Sequence, residues 1–229
     1  MISVVIPTLN AEARLAATFT ALIPAVVDGL VREVIVADGG SSDRTTRIAE
    51  SAGADIVRSS PGRGRQLIAG AEAARSPWLL FLHADTTLEH GWEHEAHAFM
   101  ERVDSGGRPL AAATFRLKLD DMGFRPRLVE VGTAIRCALL RLPYGDQGLL
   151  IPQRLYRQIG GYRPLPLMED VDIIRRIGRR RTVILRNRAI TSAARYQQDG
   201  YVARVARNFL CLTLYYLRFP IQTISRLYG

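Results

Sequence analysis

The first hundred residues alternate short β-branched runs with amphipathic helical stretches, and this alternation constrains the fold more than any other feature of the chain. The runs SVVI, EVIVA, DIVRS and WLLFLH begin at positions 3, 33, 55 and 78. In the first helical stretch Leu15, Phe19 and Leu22 share one face, and Asn10 is its expected N-cap. Strands that alternate with helices build a parallel sheet covered by helices. We therefore predict an α/β fold.

The second half of the chain is less regular and predicts a mixed sheet. Strands are expected at 112–119, 148–151 and 182–185, and helices near 128–140, 154–159 and 170–178. A helical tail is expected from Tyr201 onward. With 229 residues and 48% hydrophobic content, the chain suffices for one well-buried domain. We predict a single domain over 1–200 and a C-terminal helical tail over 201–229.

The composition of the chain limits the classes of partner and the cellular compartment that we expect. The net charge is +9, mostly from arginine, whose planar guanidinium suits phosphate groups, so we expect a nucleic acid, a nucleotide or an anionic membrane surface as partner. Cys137 and Cys211 lie far apart, and the four histidines complete no zinc ligand set. The N-terminus does not resemble a secretory signal, and the apolar run 209–217 is too short to span a bilayer. These features predict a cytoplasmic protein.

Acidic residues follow two of the predicted strands. Asp38 ends EVIVAD and precedes a flexible GGSSD turn, and Asp85 follows WLLFLH. In parallel sheets ligands bind beyond the carboxyl ends of the strands, so both carboxylates are expected at one edge. Asp38 can accept hydrogen bonds from a base or ribose, and Asp85 can hold a divalent cation that neutralises a diphosphate. Each is alternatively an ordinary capping residue of a turn or helix.

Three further segments carry candidate site residues. Arg63 and Arg65 stand on the glycine-rich loop PGRGRQ, where they face phosphate or form a solvated basic loop. Helical spacing places Asp170 on the same stripe as two isoleucines, with Glu169 and Asp172 toward the flank, so Asp170 is the candidate general base. In the loop YGDQG, Asp146 and Gln147 are candidates to form hydrogen bonds with sugar hydroxyls. The alternative is that this loop is an ordinary turn.

Four ordered motifs, VVIPTLNAE, EVIVADGGSSDRT, FLHADT and PLMEDVDI, resemble the family-two glycosyltransferases of the GT-A fold over nearly the whole chain. The longer strings GRGRQLIAGAEAARSPWLLFLHADT, LPYGDQG and PLMEDVDIIRR resemble a bacterial subgroup of small single-domain members, some of them linked to arsenosugar formation. The resemblance implies a Rossmann-like, mostly parallel sheet flanked by helices. It also implies a nucleotide-binding half over 1–105 and an acceptor half over 106–200.

The resemblance further implies an inverting transfer from a nucleotide-diphosphate sugar, such as a UDP- or GDP-sugar, to an acceptor hydroxyl. Asp170 would be the base, and Asp85 would hold Mn²⁺ or Mg²⁺. Residues of the acceptor or sugar site would be Asp146, Gln147 and Glu169. The donor nucleotide would be bound by Pro7, Thr8, Asn10, Glu12, Asp38, Gly39, Arg63, Arg65 and Ala84.

Two departures from the wider family refine this expectation. The aspartate-any-aspartate signature reads His83-Ala84-Asp85, so a single carboxylate is expected on the metal. The Gln-x-x-Arg-Trp motif of processive polymerases is absent, which predicts single transfers. A sugar-nucleotide pyrophosphorylase is the rival enzyme, but its glycine-rich loop would follow the first strand, where PTLN stands.

A basic module that binds nucleic acid or a membrane is the rival of another class. It would not explain carboxylates gathered at a sheet edge, which repel phosphate unless a cation intervenes, and we expect no nucleic-acid partner. The tail, with Arg204, Arg207 and the run 209–217, is expected to pack on the domain, to contact the inner face of a membrane peripherally or to pair two subunits.

Overall fold

The computed structural model describes residues 1–228, which form eight strands and ten α-helices. The strands are β1 (Ile2–Thr8), β2 (Val31–Asp38), β3 (Asp55–Arg58), β4 (Trp78–Phe81), β5 (Thr86–Leu88), β6 (Ala112–Asp120), β7 (Leu149–Pro152) and β8 (Thr182–Ser192). The helices are α1 (Glu12–Val27), α2 (Thr45–Ser51), α3 (Arg63–Ala73), α4 (Trp92–Asp104), α5 (Phe124–Leu140), α6 (Gln153–Gln158), α7 (Glu169–Ile177), α8 (Ala194–Asp199), α9 (Tyr201–Tyr216) and α10 (Ile221–Tyr228).

All eight strands join one mixed sheet in the order β3-β2-β1-β4-β7-β6-β8-β5. The four strands of the first hundred residues that the alternation predicted, β1 to β4, pair in parallel. Strand β7 runs antiparallel to β4 and to β6, and β6 pairs in parallel with β8. The predicted α/β fold with a mixed, mostly parallel sheet is confirmed.

Helices cover both faces of the sheet, which explains why the central strands are apolar at successive positions. Along β1, Val4 belongs to one core cluster and Val5 to the other, since successive side chains point to opposite faces. The first cluster includes residues of α1, α2 and α4, and the second includes residues of α3, α6, α7, α9 and α10. A strand covered on both faces needs no polar residue between its apolar ones.

The structure differs from the sequence-based expectations at four elements. Helix α1 begins at Glu12, and Asn10 is not its N-cap, because Asn10 has φ 51° and its amide oxygen accepts a hydrogen bond from the Ser42 N–H at 2.9 Å. Strand β5 and helix α8 were not predicted, and β8 continues to Ser192 where a strand ending at 185 was expected. Strand β5 has three residues, too few for a period to be recognised.

The last two helices, α9 and α10, contribute side chains to the second core cluster. Cys211 of α9 and Ile224 of α10 are both fully buried, and they belong to the same cluster as Leu149 and Ile151 of β7. Arg204 is buried and ion-paired with Asp199 at 3.1 Å, and its guanidinium lies 4.4 Å from the ring centroid of Tyr228 in α10. No helix within residues 1–228 is both long and apolar enough to cross a membrane.

Candidate active site

The carboxyl ends of β1 and β2 are tied together through Asp38. Its side chain is 3% exposed and accepts four hydrogen bonds. Thr8 Oγ1 donates at 3.0 Å and Ser41 Oγ at 2.5 Å to Oδ1, while the N–H groups of Gly40 and Ser41 donate at 3.0 and 2.9 Å to Oδ2. Burial raises the pKa of the Asp38 carboxyl, but these hydrogen bonds outweigh it and hold the pKa below its ordinary value. Asp38 therefore fixes the turn that follows β2.

Other predicted nucleotide-site residues hold the same turn. Asn10 donates its N–H to Ser41 Oγ at 2.9 Å, and Glu12 Oε2 accepts from the N–H of Arg44 at 2.9 Å. Sequence reasoning missed Gln66, a buried residue of α3 whose Nε2 donates to the carbonyl oxygen of Thr8 at 2.5 Å. The sequence feature that could have indicated Gln66 is its position directly after Arg65, in the segment PGRGRQ that follows a strand. The turn is therefore built from three segments of the chain.

The remaining nucleotide-site candidates differ in exposure. Pro7 is half-buried at the end of β1, and Gly39 is buried with the Gln66 amide where a side chain would stand. Ala84 is buried, and its carbonyl oxygen accepts a hydrogen bond from Thr18. Arg65 is exposed, whereas Arg63 is partly buried and pairs with Glu169. Contacts of these residues with a nucleotide stay predictions.

A second cluster gathers around the guanidinium of Arg63, at the N-terminus of α3. Three carboxylates from distant parts of the chain lie close enough to raise its pKa against the effect of burial. They are, in order of decreasing influence, Glu169, Asp170 and Asp85. The first two open α7, and the third follows β4, where its carbonyl oxygen accepts a hydrogen bond from the Ser192 N–H at 3.2 Å. The fold thus brings the predicted base and the predicted metal ligand to one site.

The start of α7 corrects one sequence-based expectation. Asp170 was expected to face the core, but it is partly exposed, while Glu169 and Asp172 are buried at 2% and 7% exposure. The helix is buried over most of its circumference, so the stripe through the isoleucines does not define a single inward side. Asp172 is satisfied by Arg163 and Arg176, at 3.2 and 2.5 Å.

Asp170 is oriented by backbone donors. Its Oδ2 accepts the Gly145 N–H at 2.8 Å, and its Oδ1 accepts the Val171 N–H at 2.7 Å. Gly145 sits tightly between two site residues, because an added Cβ there would lie 2.8 Å from His83 Nε2 and 3.5 Å from Asp170 Cβ. The Asp170 carboxylate is therefore held in place by two backbone donors, and the residue remains partly exposed.

Glu169 and Asp146 are two carboxyls of the site whose pKa values are raised. Burial first, and the neighbouring Asp170 second, raise the pKa of Glu169, although Arg63 lies 3.4 Å from its Oε1. Burial raises the pKa of Asp146 to about 6, with Arg136 opposing the shift and Asp170 and Asp85 adding to it. Asp146 Oδ1 is buried without a hydrogen-bond partner within residues 1–228. That oxygen is free to accept from a ligand.

Gln147 does not face the cleft, which corrects its predicted place beside Asp146. It is 1% exposed, its Nε2 donates to the Phe115 carbonyl oxygen at 2.8 Å, and its Oε1 accepts from the Tyr144 N–H at 3.3 Å. Both ends of the amide are thus used within the protein, and Gln147 supports the loop that carries Asp146.

Sequence reasoning named His83 only as a potential second ligand beside Asp85, and it missed Arg136 as a part of the site. Burial and the nearby charges of Arg63 and Arg195 lower the pKa of His83 well below its ordinary value, so its imidazole is neutral near pH 7. The guanidinium of Arg136 lies 3.4 Å from the ring centroid of Tyr144. Position 136 lies inside a helix with no accompanying motif, so the sequence carried no signal for it.

Comparison with known proteins identifies the family of the chain. The model of glycosyl transferase family 2 matches residues 3–112. A glycosyltransferase of Mycobacterium bovis is 30% identical over 169 residues, which cover 69% of this chain and 67% of the relative. The chain belongs to glycosyl transferase family 2. A glucosyl-3-phosphoglycerate synthase of Mycolicibacterium paratuberculosis is 36% identical over 165 residues, covering 60% of this chain and 49% of the synthase. The chain therefore spans about half the length of that relative.

Solved structures support the fold assignment of this family member. Glucosyl-3-phosphoglycerate synthase from Mycobacterium tuberculosis, crystallised with Mn²⁺ and UDP-glucose, superimposes with a TM-score of 0.57. The match covers 84% of this chain and 69% of the synthase at 22% identity. A complex of that synthase with Mn²⁺, UDP and glucosyl-3-phosphoglycerate gives a TM-score of 0.56 at 23% identity. The GT-A architecture expected from the sequence motifs is confirmed.

The donor set of this family member suits a cation that a ligand helps to bind. Within residues 1–228, no three His, Cys, Asp or Glu side chains are placed to hold a metal ion by themselves. Asp85 and the unpartnered Oδ1 of Asp146 are nevertheless oxygen donors of the kind that Mg²⁺ and Mn²⁺ prefer, and their charges influence one another. A diphosphate would supply the oxygens that the protein lacks.

Proposed function

We propose that this protein transfers a sugar from a nucleotide-diphosphate donor to an acceptor hydroxyl, with inversion at the anomeric carbon and one transfer per encounter. The observation that carries the proposal is the convergence of Asp85, Asp170 and Arg63, from three distant segments, at the carboxyl edge of a GT-A sheet. Membership of glycosyl transferase family 2 supports the reaction class. The absence of a Gln-x-x-Arg-Trp motif supports single transfers.

Asp170 is the proposed general base. Its carboxylate is fixed by the Gly145 and Val171 N–H groups and is partly open to the cleft, so it can accept the proton of an acceptor hydroxyl as that oxygen attacks the sugar. Arg63 is placed to offset charge on the departing nucleoside diphosphate. Asp146, whose Oδ1 lacks a partner, is proposed to accept a hydrogen bond from a sugar or acceptor hydroxyl or to contact the cation.

We propose a uridine nucleotide as the donor's leaving group and Mn²⁺ or Mg²⁺ as the cation, with Asp85 as its main protein ligand. The structurally similar synthase was crystallised with Mn²⁺ and UDP-glucose. Such an ion, when bound, neutralises the diphosphate and so stabilises it as a leaving group. The turn around Asp38, with Pro7, Thr8, Asn10, Glu12 and Gly39, is the proposed nucleotide pocket. Arg65 and Ala84 flank it in our proposal.

The donor assignment is tested by thermal shift and by nucleotide release with UDP-, GDP- and dTDP-sugars in the presence and absence of Mn²⁺. A uridine donor is expected to raise Tm only when the metal is present, and Asp85→Ala is expected to remove the metal-dependent part of that rise. A protein that binds none of these donors would contradict the proposal.

The base assignment is tested by Asp170→Asn, compared with Glu169→Gln at the adjacent carboxyl. The asparagine keeps an oxygen for the Gly145 N–H but cannot take up the acceptor's proton, so transfer should fall by about 10²-fold or more while donor binding persists. Rates are followed by nucleotide release with a range of hydroxyl acceptors. If Glu169→Gln lost transfer and Asp170→Asn kept it, the base would be Glu169.

A further inference from the structure

Helix α5 presents apolar side chains on two opposite sides. Pro126, Thr133 and Cys137 are buried on the side that faces the domain. Five large apolar residues, spaced by three or four positions and each more than half exposed, form a stripe on the opposite side: Phe124, Leu128, Val131, Ile135 and Leu139. A helix that only covers a core keeps polar residues on its outer side. The outer stripe of α5 therefore requires a separate explanation.

Helix α9 repeats this arrangement beside α5. Val202, Val205 and Phe209 recur at intervals of three and four and are all exposed, whereas Cys211 faces the core. The starts of the two helices are joined, since Tyr201 donates its hydroxyl hydrogen to Asp121 Oδ2 at 2.5 Å. On either side of this bond lie Met122 and Val202, which are 93% and 84% exposed. The two exposed stripes, here called the α5/α9 face, thus meet at one corner of the molecule.

Positive charge accompanies the α5/α9 face. The segment 201–229 contains four arginines and no aspartate or glutamate. In α5 the single acidic residue, Glu130, is occupied by Arg127 at 2.7 Å and by the Leu119 N–H at 2.7 Å. Arg125 is exposed near the shared corner. Two of the four arginines, Arg204 and Arg207, pair with Asp199, whereas Arg218 and Arg226 are exposed. Apolar stripes accompanied by exposed arginines are the pattern of a helix that lies in the interface of an anionic bilayer.

We propose that the α5/α9 face docks on the surface of an anionic lipid bilayer. The apolar stripes would enter the boundary between headgroups and acyl chains, and the exposed arginines, Arg125, Arg218 and Arg226, would contact the phosphates. The charge favours lipid over a second copy, because each copy carries a net charge of +9 and the segment 201–229 would meet its own positive charge. This inference depends on the two helices alone and is independent of the proposed transfer.

Docking would place the candidate active site near the membrane on its acceptor side. Helix α5 contacts the loop of Asp146 from within: Cys137 Sγ donates to Gln147 Oε1 at 3.4 Å, and Arg136 stacks on Tyr144. The outer stripe lies on the other side of the same helix. The inferred partner is thus defined by its chemistry, a bilayer that contains anionic phospholipid.

The experiment is co-sedimentation of the full chain with vesicles of phosphatidylcholine alone and of phosphatidylcholine mixed with phosphatidylglycerol. We expect binding to the anionic vesicles only, and a decline as salt is raised. The triple variant Phe124→Ser, Val202→Ser, Phe209→Ser is expected to lower the bound fraction at least fivefold. The three positions are exposed, so Tm should change little; circular dichroism checks this.

The matched control is Ile23→Ser, Val26→Ser, Val27→Ser, which alters three exposed apolar residues of α1 and should bind vesicles like the unaltered protein. Failure to bind anionic vesicles would overturn the proposal, as would equal binding to neutral vesicles or equal loss in the control. Light scattering is measured in parallel. A dimer that the first triple variant dissociates, without vesicle binding, would identify the face as a contact between copies and overturn the lipid assignment.

Discussion

The Asp38 carboxylate accepts four hydrogen bonds at a buried strand end, and this links its charge to the stability of the fold. Because the hydrogen bonds hold its pKa below the ordinary value, the ionised group stabilises the native state at any pH above about 4. As pH falls through the folded-state pKa, the carboxylate takes up a proton and this contribution is lost.

We expect Asp38→Ala to lower the free energy of unfolding by about 1–3 kcal/mol at pH 7, because buried donors lose their acceptor. The difference between the two proteins should be smaller at pH 3 than at pH 7, because below about pH 4 the unfolded carboxyl takes up a proton and the stability contributed by the ionised form begins to fall. Urea denaturation at both pH values measures it. Ser42→Ala, an exposed neighbour in the same turn, serves as the control. An equal difference at both pH values would contradict the role given to the ionised form.

At the scale of elements, helix α3 approaches the loop before α7 closely enough to exclude any side chain. A Cβ on Gly64 would lie 2.5 Å from the carbonyl oxygen of Arg163 and 2.9 Å from that of Leu165. That loop leads to Asp170, so the glycine connects the donor side of the site to its proposed base.

Gly64→Ala is therefore expected to lower the free energy of unfolding by about 1–3 kcal/mol, the usual range for overpacking, and to reduce transfer by displacing α7. Gly132→Ala is the matched control, since nothing lies within 4 Å of its Cβ position in helix α5. It should be neutral or should stabilise by about 0.5–1 kcal/mol through helix propensity. Chemical denaturation compares both. Equal changes in the free energy of unfolding for the two variants would show that the close packing at Gly64 does not contribute to stability.

The sequence predicted the elements whose apolar pattern recurs regularly along the chain. It did not predict the short strand or the side-chain directions of the enclosed helix. The alternation of runs gave β1 to β4 and their parallel pairing, because buried parallel strands are apolar at every position. The side-chain directions predicted for helix α7 were wrong. The helix is enclosed on most sides, so Glu169 and Asp172 are buried and paired with arginines instead of facing solvent. Such partners come from distant segments that helical spacing does not contain.

The same limit applies within the candidate site. Asp85, Asp146 and Asp170 each follow a recognisable signal of strand end, turn or helix start, and all three meet near Arg63. Gln147 shared the signal of Asp146 but points the other way, because a 3₁₀ turn over Gly145–Gln147 separates the directions of the two side chains. The sequence indicates which loops converge, whereas side-chain direction depends on the local turn.

At the scale of the whole molecule, the contacts of α9 and α10 decide whether these helices form a unit separate from the sheet. A domain over 1–200 with a helical tail over 201–229 is a prediction from sequence, in which the tail packs on the domain, contacts a membrane or pairs two subunits. Ile224 is fully buried in a core cluster that also contains strand residues. We therefore propose that α9 and α10 unfold together with the sheet.

Ile224→Ala is expected to lower the free energy of unfolding by about 2–4 kcal/mol in one cooperative transition, since a buried side chain is removed from the shared core. Thr223→Ala, exposed on the same helix, should have little effect. Urea titrations followed by tryptophan fluorescence and by far-ultraviolet circular dichroism test this, because both tryptophans lie before residue 100. Separate midpoints for the two signals would favour an independent tail.

The pairing of Arg63 with Glu169 has a consequence for the order in which substrates bind. The guanidinium lies between the nucleotide half and the start of α7, at 3.4 Å from the glutamate. In the proposed reaction a diphosphate bound to Arg63 would share the guanidinium with this carboxylate, which would weaken the ion pair and leave Glu169 in need of a further hydrogen-bond donor. An incoming hydroxyl can meet that need. Catalysis would then be sequential and ordered, with the nucleotide sugar preparing the pocket that its acceptor enters.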